Sequence, residues 1–341
     1  MIVIFEPDPP FIRWCTIKNG CFLQEKLVFG ASCLKKIQRK ILKESNGEKI
    51  IFGYILPNGG EKIDKPISLL TDESLSRMEE CVKFLPEHNG IIYKIANYLS
   101  KEFSGANHVL FCDTSFFVGL PKETSTYAIP YKLRKKGIRR YGGYGLCHEW
   151  AWGQTRQAFG KKIKNVISVY LGNSSNIAAI KNTIPIETTI GFTSVEGIPS
   201  LNACGDIDPT IIFQLHAGGM SFERINNLLS KESGLNCLLG KASEILQYHI
   251  VRYIGAFISI LGGVDAIVFI AENFEDKKDS ILKICHFLDC IGFKSKMKIN
   301  NNPNGAIILS ADNSKIKSLC LHYNKWKILS QKAFMLADKE V

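Results

Sequence analysis

The stretch MIVIFEPDPPFIRWCTIKNGCFLQEKLVF, residues 1–29, determines the expected fold. MIVIF predicts a strand, EPDPP a rigid loop, FIRWCTI a second strand and CFLQEKLVF a third, with a turn at KNG. The Asn-Gly pair favours a tight hairpin, because both residues accept the positive φ that such a turn requires. Residues 163–189, IKNVISVYLGNSSNIAAIKNTIPIETT, repeat the order strand, loop, strand, turn and strand. The repeat predicts a duplication, in which two similar domains each open with this unit.

Helical patterns alternate with these strands. Residues 71–85 begin with capping residues and carry apolar side chains on one helical face. Residues 241–261 are apolar on nearly all sides, which predicts a central helix, and residues 325–336 predict a closing helix. Residues 106–116 read as a buried strand that ends in an aspartate. The alternation predicts a layered α/β architecture.

Residues 253–271, YIGAFISILGGVDAIVFIA, form the longest apolar run. The run is long enough to cross a bilayer. Gly262 and Gly263 divide it, and the part that follows is β-branched. We therefore expect a buried helix, a glycine turn and a buried strand.

Length and charge limit the class of protein. A chain of 341 residues with 45% hydrophobic content is long enough for two domains with buried cores. The formal net charge of +11 is compatible with a nucleic acid, an acidic membrane or a phosphorylated ligand. The lysines are dispersed and do not alternate with aromatic residues as on an RNA-binding surface. This favours a solvated lysine-rich surface first, an anionic small substrate second and nucleic acid third, so we expect no nucleic-acid and no membrane partner.

The cysteines indicate a reducing compartment. There are eleven, an odd number without regular spacing, and MIVIFEPDPP lacks the features of a signal peptide. We therefore expect reduced thiols and a cytoplasmic protein. Cys147-His148 and Cys285-His286 with Cys290 match no standard zinc spacing, so we assign no metal ligand and expect buried structural thiols.

Four short stretches could carry chemistry. RRYGGYGLCHEW, residues 139–150, places glycines after basic residues, as in a loop for an anion, although Tyr144 crowds it. Asp113 follows a buried strand, where α/β proteins place reacting groups, but a helix cap there is equally compatible. Asp206 in GDIDP precedes a predicted helix, and LGNSSN could offer backbone amides to phosphate or form a hairpin turn.

Six segments resemble, in order, the acetokinase family of acetate, propionate and butyrate kinases, and most of all its acetate kinases. They are GGEKIDKPISLLTDESLSRMEECVKFLPEHN, CDTSFFVGLPKETSTYAIPYKLRKKGIRRYG, LGNSSNIAAIKN, GFTSVEGIPSLNACGDIDPTIIFQL, INNLLSKESGL and YIGAFISILGGVDAIVFIA.

The resemblance implies an α/β fold of two duplicated actin/sugar-kinase/Hsp70-like (ribonuclease H-like) domains with a cleft between them. It implies an N-terminal domain over 1–148, a nucleotide-side domain over 149–324, and a helix over 325–341 that packs back on the first domain. The implied reaction moves phosphate between ATP and a short-chain carboxylate, as in acetate and ATP to acetyl phosphate and ADP. The implied cofactors are ATP and Mg²⁺, the ligands are a small carboxylate or acyl phosphate, and the assembly is a homodimer.

Several site residues match the family. Asp113 in DTSFF matches its catalytic aspartate, and His88 in EHN matches an active-site histidine. On the nucleotide side, the resemblance assigns five positions: Gly172, Asn173, Asp206, Glu272 and Glu275.

Other positions depart from the family pattern. Tyr144 replaces the transition-state histidine of the family's RRYGFHG, and Ile55 and Ala203 replace active-site arginines. ENFED replaces the nucleotide loop GIGEN, so Glu272 and Glu275 bring bulk and negative charge. The remaining departures are Phe117 for a histidine, Phe5 and EPDPP for an asparagine and a Gly/Ser-rich phosphate loop, and Lys325 for the magnesium glutamate.

These departures leave two main hypotheses. Phosphoryl transfer depends on placement and positive charge, and one missing arginine of this kind can cost a factor of about 10³–10⁵ in rate. The substitutions favour a non-catalytic homologue with a binding or regulatory role. A retained carboxylate kinase is the alternative, supported by Asp113, His88 and GDIDP; a nucleic-acid binder rests on charge alone.

Overall fold

The computed structural model describes residues 1–296 and 306–338, which form two compact units. Met1–Val118 and Asn324–Val341 form the first unit, and Gly119–Tyr323 forms the second. The boundary lies before the expected one at residue 148, because the segment after residue 118 is hydrogen-bonded to the second unit. Thr124 Oγ1 donates to Ile186 O at 2.8 Å. Residues 297–305 and 339–341, which the expected domains include, lie outside the described residues.

The elements alternate as the sequence predicts. The strands are β1 (Ile2–Asp8), β2 (Phe11–Lys18), β3 (Cys21–Val28), β4 (Ile51–Leu56), β5 (Ile67–Leu69), β6 (Asn107–Cys112), β7 (Asn165–Leu171), β8 (Asn176–Lys181), β9 (Ile184–Thr188), β10 (Ala266–Ala271), β11 (Ala306–Ile308) and β12 (Lys317–His322). The helices are α1 (Cys33–Ser45), α2 (Asp72–Cys81), α3 (Pro86–Glu102), α4 (Lys122–Ser125), α5 (Tyr131–Arg134), α6 (Gly145–Phe159), α7 (Thr210–Ala217), α8 (Phe222–Lys231), α9 (Ala242–Leu261), α10 (Lys278–Phe287) and α11 (Lys325–Asp338).

The two sheets have the same topology, which confirms the duplicated α/β fold. Their strand orders are β3-β2-β1-β4-β6-β5 and, read in the same direction, β9-β8-β7-β10-β12-β11. In each sheet an antiparallel meander is followed by two strands parallel to the first, and an antiparallel strand forms the far edge. The meanders are the units that residues 1–29 and 163–189 predict.

The first hairpin differs from the expected loop. EPDPP is not a loop throughout, because Glu6, Pro7 and Asp8 continue β1, and Asp8 pairs with Phe11. Only Pro9 and Pro10 form the turn, with a cis peptide bond between them. Pro7 fits in β1 because that part of the strand pairs with β2 alone, so its missing amide need not serve a second neighbour.

Each sheet buries a hydrophobic core against helices. In the first unit, Ile37 of α1, Met78 of α2 and Ile95 of α3 pack with the strands. Helix α11 packs against β1, β4, β5 and β6 of the same unit, where Leu329 and Ala333 are buried. In the second unit, α9 and α10 pack on a core that includes β7 and β10.

Helix α9 corrects one expectation. Gly262, with φ 73°, ends the helix, and β10 is buried throughout, as predicted. The prediction that the helix is central is wrong, because the sheet covers one face only: Ile254 and Phe257 are buried, whereas Tyr248 and Ile260 are exposed. Within residues 1–296 and 306–338, no helix combines the length and apolarity needed to span a bilayer.

The thiols are mostly structural. All eleven cysteines lie in the described residues, and none forms a disulfide. Cys147 and Cys285 are buried, as predicted, whereas Cys290 is exposed. Burial raises the pKa of the Cys285 thiol to about 12.

His148 of α6 joins that helix to the second sheet. Its Nδ1 lies 2.8 Å from Ser168 Oγ on β7, and its Nε2 lies 2.5 Å from Asn176 Oδ1 on β8. The side chain is completely buried. Burial lowers the pKa of the imidazole to about 4, and the hydrogen bond to Asn176 offsets this only in part.

We expect acid to destabilise the fold through His148. An unfolded histidine takes up a proton below about pH 6.5, whereas the folded one stays neutral to about pH 4. The contribution is therefore complete above pH 6.5, and about 3 kcal/mol of the free energy of unfolding is lost as pH falls towards 4. Urea unfolding at a series of pH values should show a shallower acid dependence in His148→Gln. The exposed His286, changed to Gln, should keep the wild-type slope; equal slopes in all three proteins would contradict this role.

Candidate functional site

The carboxyl ends of β1, β4 and β6 meet at one edge of the first sheet, because these strands run parallel. Asp113 directly follows β6, and its backbone amide donates to Leu56 O at the end of β4, 3.0 Å away. Phe5, at the family's asparagine position, is buried in β1. This edge is where an open α/β sheet places ligand-binding groups.

A glycine loop after β4 connects Asp113 with α3. Gly59 N donates to Thr114 Oγ1 at 2.9 Å, and Asn58 N donates to Asn89 Oδ1 at 3.3 Å. The Asn89 amide in turn donates to Asn58 O and Cys81 O, both at 2.7 Å. A side chain at position 59 would place Cβ 2.3 Å from Cys112 Sγ, so only glycine fits.

The segments of His88 and Asp113 therefore meet at one loop. Asn89, the neighbour of His88, and Thr114, the neighbour of Asp113, hold it from two sides. Sequence reasoning missed Asn89 as the residue that fixes the loop, although it stands in the EHN motif. Phe117, at the family's histidine position, is buried and packs on Phe116 at 5.2 Å.

Glu6 lies at the carboxyl end of β1 and carries two cations. Its carboxylate accepts from Arg13 Nη2 at 2.8 Å and from Lys325 Nζ of α11 at 2.5 Å. Glu6 and Lys325 are both partly buried. Lys325, which the family resemblance sets against a magnesium-binding glutamate, thus supplies an ammonium group to Glu6, a partner that sequence reasoning did not foresee.

The second sheet has a corresponding edge at the ends of β7, β10 and β12. The Tyr144 ring stacks on Tyr170 of β7 with a centroid distance of 4.8 Å. Tyr170 also contacts Tyr323, which follows β12, at 6.3 Å, and Trp150 lies 5.3 Å from Tyr323. Tyr144 has φ 57°, a left-handed conformation that is uncommon for a residue with a side chain. This edge is covered by aromatic rings.

Gly172 and Asn173 follow β7 and lie beside this aromatic cluster. A Cβ at position 172 would come 2.6 Å from Tyr170 Oη. Asn173 is exposed, and its carbonyl accepts from Leu201 N at 2.9 Å. That bond brings the loop of Ala203 next to the β7 loop.

Asp206 serves as an internal acceptor. Its Oδ1 accepts from Gly197 N at 2.8 Å, and its Oδ2 accepts from Arg252 at 3.0 Å and from the Tyr253 hydroxyl. Burial and the bond to Asp206 raise the pKa of Tyr253. The carboxylate therefore ties its loop to α9.

Arg140 of the basic glycine loop is also paired within the unit. Its Nη1 lies 2.7 Å from Glu187 Oε1, and its Nε lies 3.3 Å from Glu196 Oε1. Glu196 also accepts from the Tyr127 hydroxyl. The guanidinium group of Arg140 thus holds residues 119–144 against β9 and the loop that follows it.

Glu272 and Glu275 follow β10, next to the strand that leads to Gly172. Both side chains are exposed, and Lys278 Nζ lies 3.4 Å from Glu275 Oε2. Phe274 between them is buried in the core. The carboxylates of Glu272 and Glu275 thus face solvent, while Phe274 packs in the core and fixes the loop.

The chain matches a known family over most of its length. The model of the Acetokinase family matches residues 25–247 and 239–331. An acetate kinase of Halothermothrix orenii is 31% identical over 306 residues, covering 82% of this chain and 76% of that protein. "Acetate kinase 2" of Clostridium perfringens is 30% identical over 311 residues, covering 84% and 78%.

Solved structures agree on the fold. A crystal structure of Porphyromonas gingivalis acetate kinase superposes with a TM-score of 0.83 at 22% identity, covering 98% of this chain and 99% of that one. A propionate kinase from Francisella tularensis subsp. tularensis gives a TM-score of 0.81 at 23% identity, covering 94% and 96%. Because the family model matches most of the chain and relatives at 30% and 31% identity agree with it, this chain belongs to the acetokinase family.

Proposed function

We propose that this chain has lost the phosphoryl transfer between ATP and acetate that its family membership implies, and that it acts in the cytoplasm as a binding or regulatory member of the family. The observation that carries the proposal is that charged groups which could meet a phosphate or a metal are paired within the chain. Arg140, Glu6 and Asp206 all have such partners.

The shortage of cations is the first physical reason. Charge on a transferring phosphoryl group must be met by preorganised cations. Ile55 and Ala203 are buried, uncharged residues at the two positions where the family resemblance expects arginine. Arg140 lies between two carboxylates, and freeing it would leave partly buried charges unpaired, at a cost of several kcal/mol.

The first sheet does not fit a magnesium ion in the family's manner. A divalent cation requires oxygen ligands with available negative charge. The Glu6 carboxylate already carries Lys325 and Arg13, and these cations would repel the metal.

The second sheet fits a triphosphate poorly. Backbone amides approach phosphates where glycines leave room. The Tyr170 ring occupies the space beside Gly172 that a Cβ would fill, and Tyr144 stacks on it. The exposed Glu272 and Glu275 add negative charge at the same edge.

A residual carboxylate kinase is the second candidate. Asp113 is retained at the carboxyl edge of the first sheet, and its neighbour Thr114 binds the glycine loop of Gly59. A placed carboxylate of this kind supports acid–base or positioning chemistry.

We also propose that the chain forms a homodimer through α7, α8 and α9. Helix α7 has the sequence TIIFQLHA, yet none of its side chains is fully buried. Phe213 of α7 is 64% exposed, and Phe222, Tyr248 and Ile260 on the neighbouring helices are also exposed. Large apolar side chains left exposed on successive helices are typical of an interface.

The first prediction concerns turnover. With acetate, propionate or butyrate and Mg-ATP, hydroxylamine trapping should give acyl hydroxamate at least about 10³–10⁵ times more slowly than the Porphyromonas gingivalis acetate kinase, because the arginines are missing. Asp113→Asn should give the same background as the wild type. Turnover that Asp113→Asn abolishes and the control Asp64→Asn preserves would establish the second candidate instead.

The second prediction concerns nucleotide binding. We expect about 5 mM Mg-ATP to raise the Tm by less than about 2 °C, because a ligand stabilises only a protein that binds it. Differential scanning fluorimetry measures the shift, with the Porphyromonas gingivalis acetate kinase as the comparison. A saturable rise that needs both ATP and magnesium would mean that the nucleotide site persists.

The third prediction concerns assembly. Phe213→Asp should raise the dimer dissociation constant at least about 30-fold, because it places a charge where the dimer would bury an aromatic side chain. Phe287→Asp on α10 is the matched control, since Phe287 is 55% exposed but lies outside the proposed surface. Sedimentation velocity over a concentration series would distinguish them; a monomeric wild type, or equal loss in both variants, would refute the surface.

A further inference from the structure

Helix α1 concentrates positive charge on its solvent face. It contains Lys35, Lys36, Arg39, Lys40 and Lys43, against a single acidic residue, Glu44. Five basic residues and one acidic residue give α1 an excess of four positive charges.

The spacing places these cations on one side. Cys33, Ile37 and Ile41 are buried against the first sheet at intervals of four residues. Lys35, Arg39 and Lys43 follow the same interval on the opposite side, with Lys36 beside them. We call Lys35, Lys36, Arg39 and Lys43 the α1 basic face.

Carboxylates near α1 form ion pairs with lysines outside the α1 basic face. Lys40, outside the face, is the cation that holds Glu25 of β3, and it also lies 3.7 Å from Glu44. Glu48 is held by Lys18 at 2.8 Å. In the part of the chain that the structure describes, no carboxylate lies within ion-pair distance of the α1 basic face.

Apolar side chains flank the basic face. Leu42, on the same solvent side of α1, is 55% exposed, and Leu23 of β3 is 54% exposed. Leu23 shares a face of β3 with Glu25, which contacts α1 through Lys40. On the other flank, Gln38 bonds to Glu102 of α3. The surface therefore combines a cationic centre with exposed leucines.

In contrast to the expectation of no membrane partner, which rested on the dispersed lysines, we propose that the α1 basic face adsorbs this protein to a bilayer that contains anionic phospholipid. Clusters of four or more Lys and Arg on an amphipathic helix match such a surface, and exposed leucines can enter the headgroup region. The leucines favour lipid over nucleic acid, since phosphate contacts alone need no apolar flank. The proposal requires a cytoplasmic location, where the facing leaflet is anionic, and it is independent of whether phosphoryl transfer is lost.

The test is co-sedimentation of the full chain with sucrose-loaded vesicles. We expect binding to vesicles of 70% phosphatidylcholine and 30% phosphatidylserine in about 0.1 M salt, little binding to pure phosphatidylcholine, and release in about 0.5 M salt. The triple variant K35E/R39E/K43E should partition at least about 100-fold more weakly, about fivefold for each cation removed. The triple variant K132E/K135E/K136E has the same charge change on another exposed basic segment and should bind as the wild type does.

Two further controls test whether the variants fold and whether the exposed leucine contributes to vesicle binding. Thermal melting checks that each variant folds, and Leu42→Ser, which keeps every charge, should weaken vesicle binding modestly without altering the salt dependence. Equal binding to both vesicle types, equal loss in the two triple variants, or no vesicle binding by the wild type would overturn the proposal. Tighter binding to a 20-base-pair DNA duplex than to the anionic vesicles in the same salt would assign the face to nucleic acid instead.

Discussion

Parallel strand pairing in the two sheets determines where the loops of this protein meet. In each unit, the first strand of an antiparallel meander pairs with two later parallel strands, so three carboxyl ends meet at one edge of the sheet. The edge brings together residues that are far apart in the chain. Glu6, the loop of Gly59 and Asp113 gather in this way in the first unit, and the loops of Gly172 and Glu272 gather in the second. A phosphoryl-transfer site in the duplicated fold would have to use the groups at these edges.

What the edges present is largely satisfied within the chain. In the first unit a carboxylate is neutralised by an ammonium and a guanidinium group, and in the second an aromatic stack covers the glycine loop. The left-handed backbone of Tyr144 costs about 1–2 kcal/mol. An aromatic pair contributes about 0.5–1.5 kcal/mol beyond its buried area, so the stack with Tyr170 offsets much of this strain. Both edges are therefore stabilised in part by contacts within the chain.

The two exposed surfaces differ in their physics. The α7 helix presents side chains whose burial is favourable at any ionic strength, and it requires a complementary partner at short range. The α1 basic face acts over about a Debye length and weakens as salt rises. The two proposed interactions therefore differ in their expected response to salt.

Sequence patterns were sufficient to predict the alternation of strands and helices, the repeated meander and the family. Turn residues such as Asn19-Gly20 and strand-end residues such as Asp113 carry strong local preferences, and local preference is readable from a single chain. The prediction of a loop over all of EPDPP was wrong, because the pairing of Asp8 with Phe11 extends β1 into this stretch. The prediction that α9 is central was also wrong, because composition does not reveal which face of a helix the sheet covers.

The pairing of charged and polar groups cannot be read from the sequence, because it depends on long-range packing. Lys325 and Glu6 lie 319 residues apart, yet they form one ion pair because α11 returns to the first sheet. Packing also joins residues that are distant in the chain in three other contacts. Asn89 binds Asn58, Arg140 binds Glu187, and Tyr144 stacks on Tyr170. The motifs name the chemical groups that a site could use; whether those groups are available depends on partners that long-range packing brings within bonding distance, and no local pattern encodes that distance.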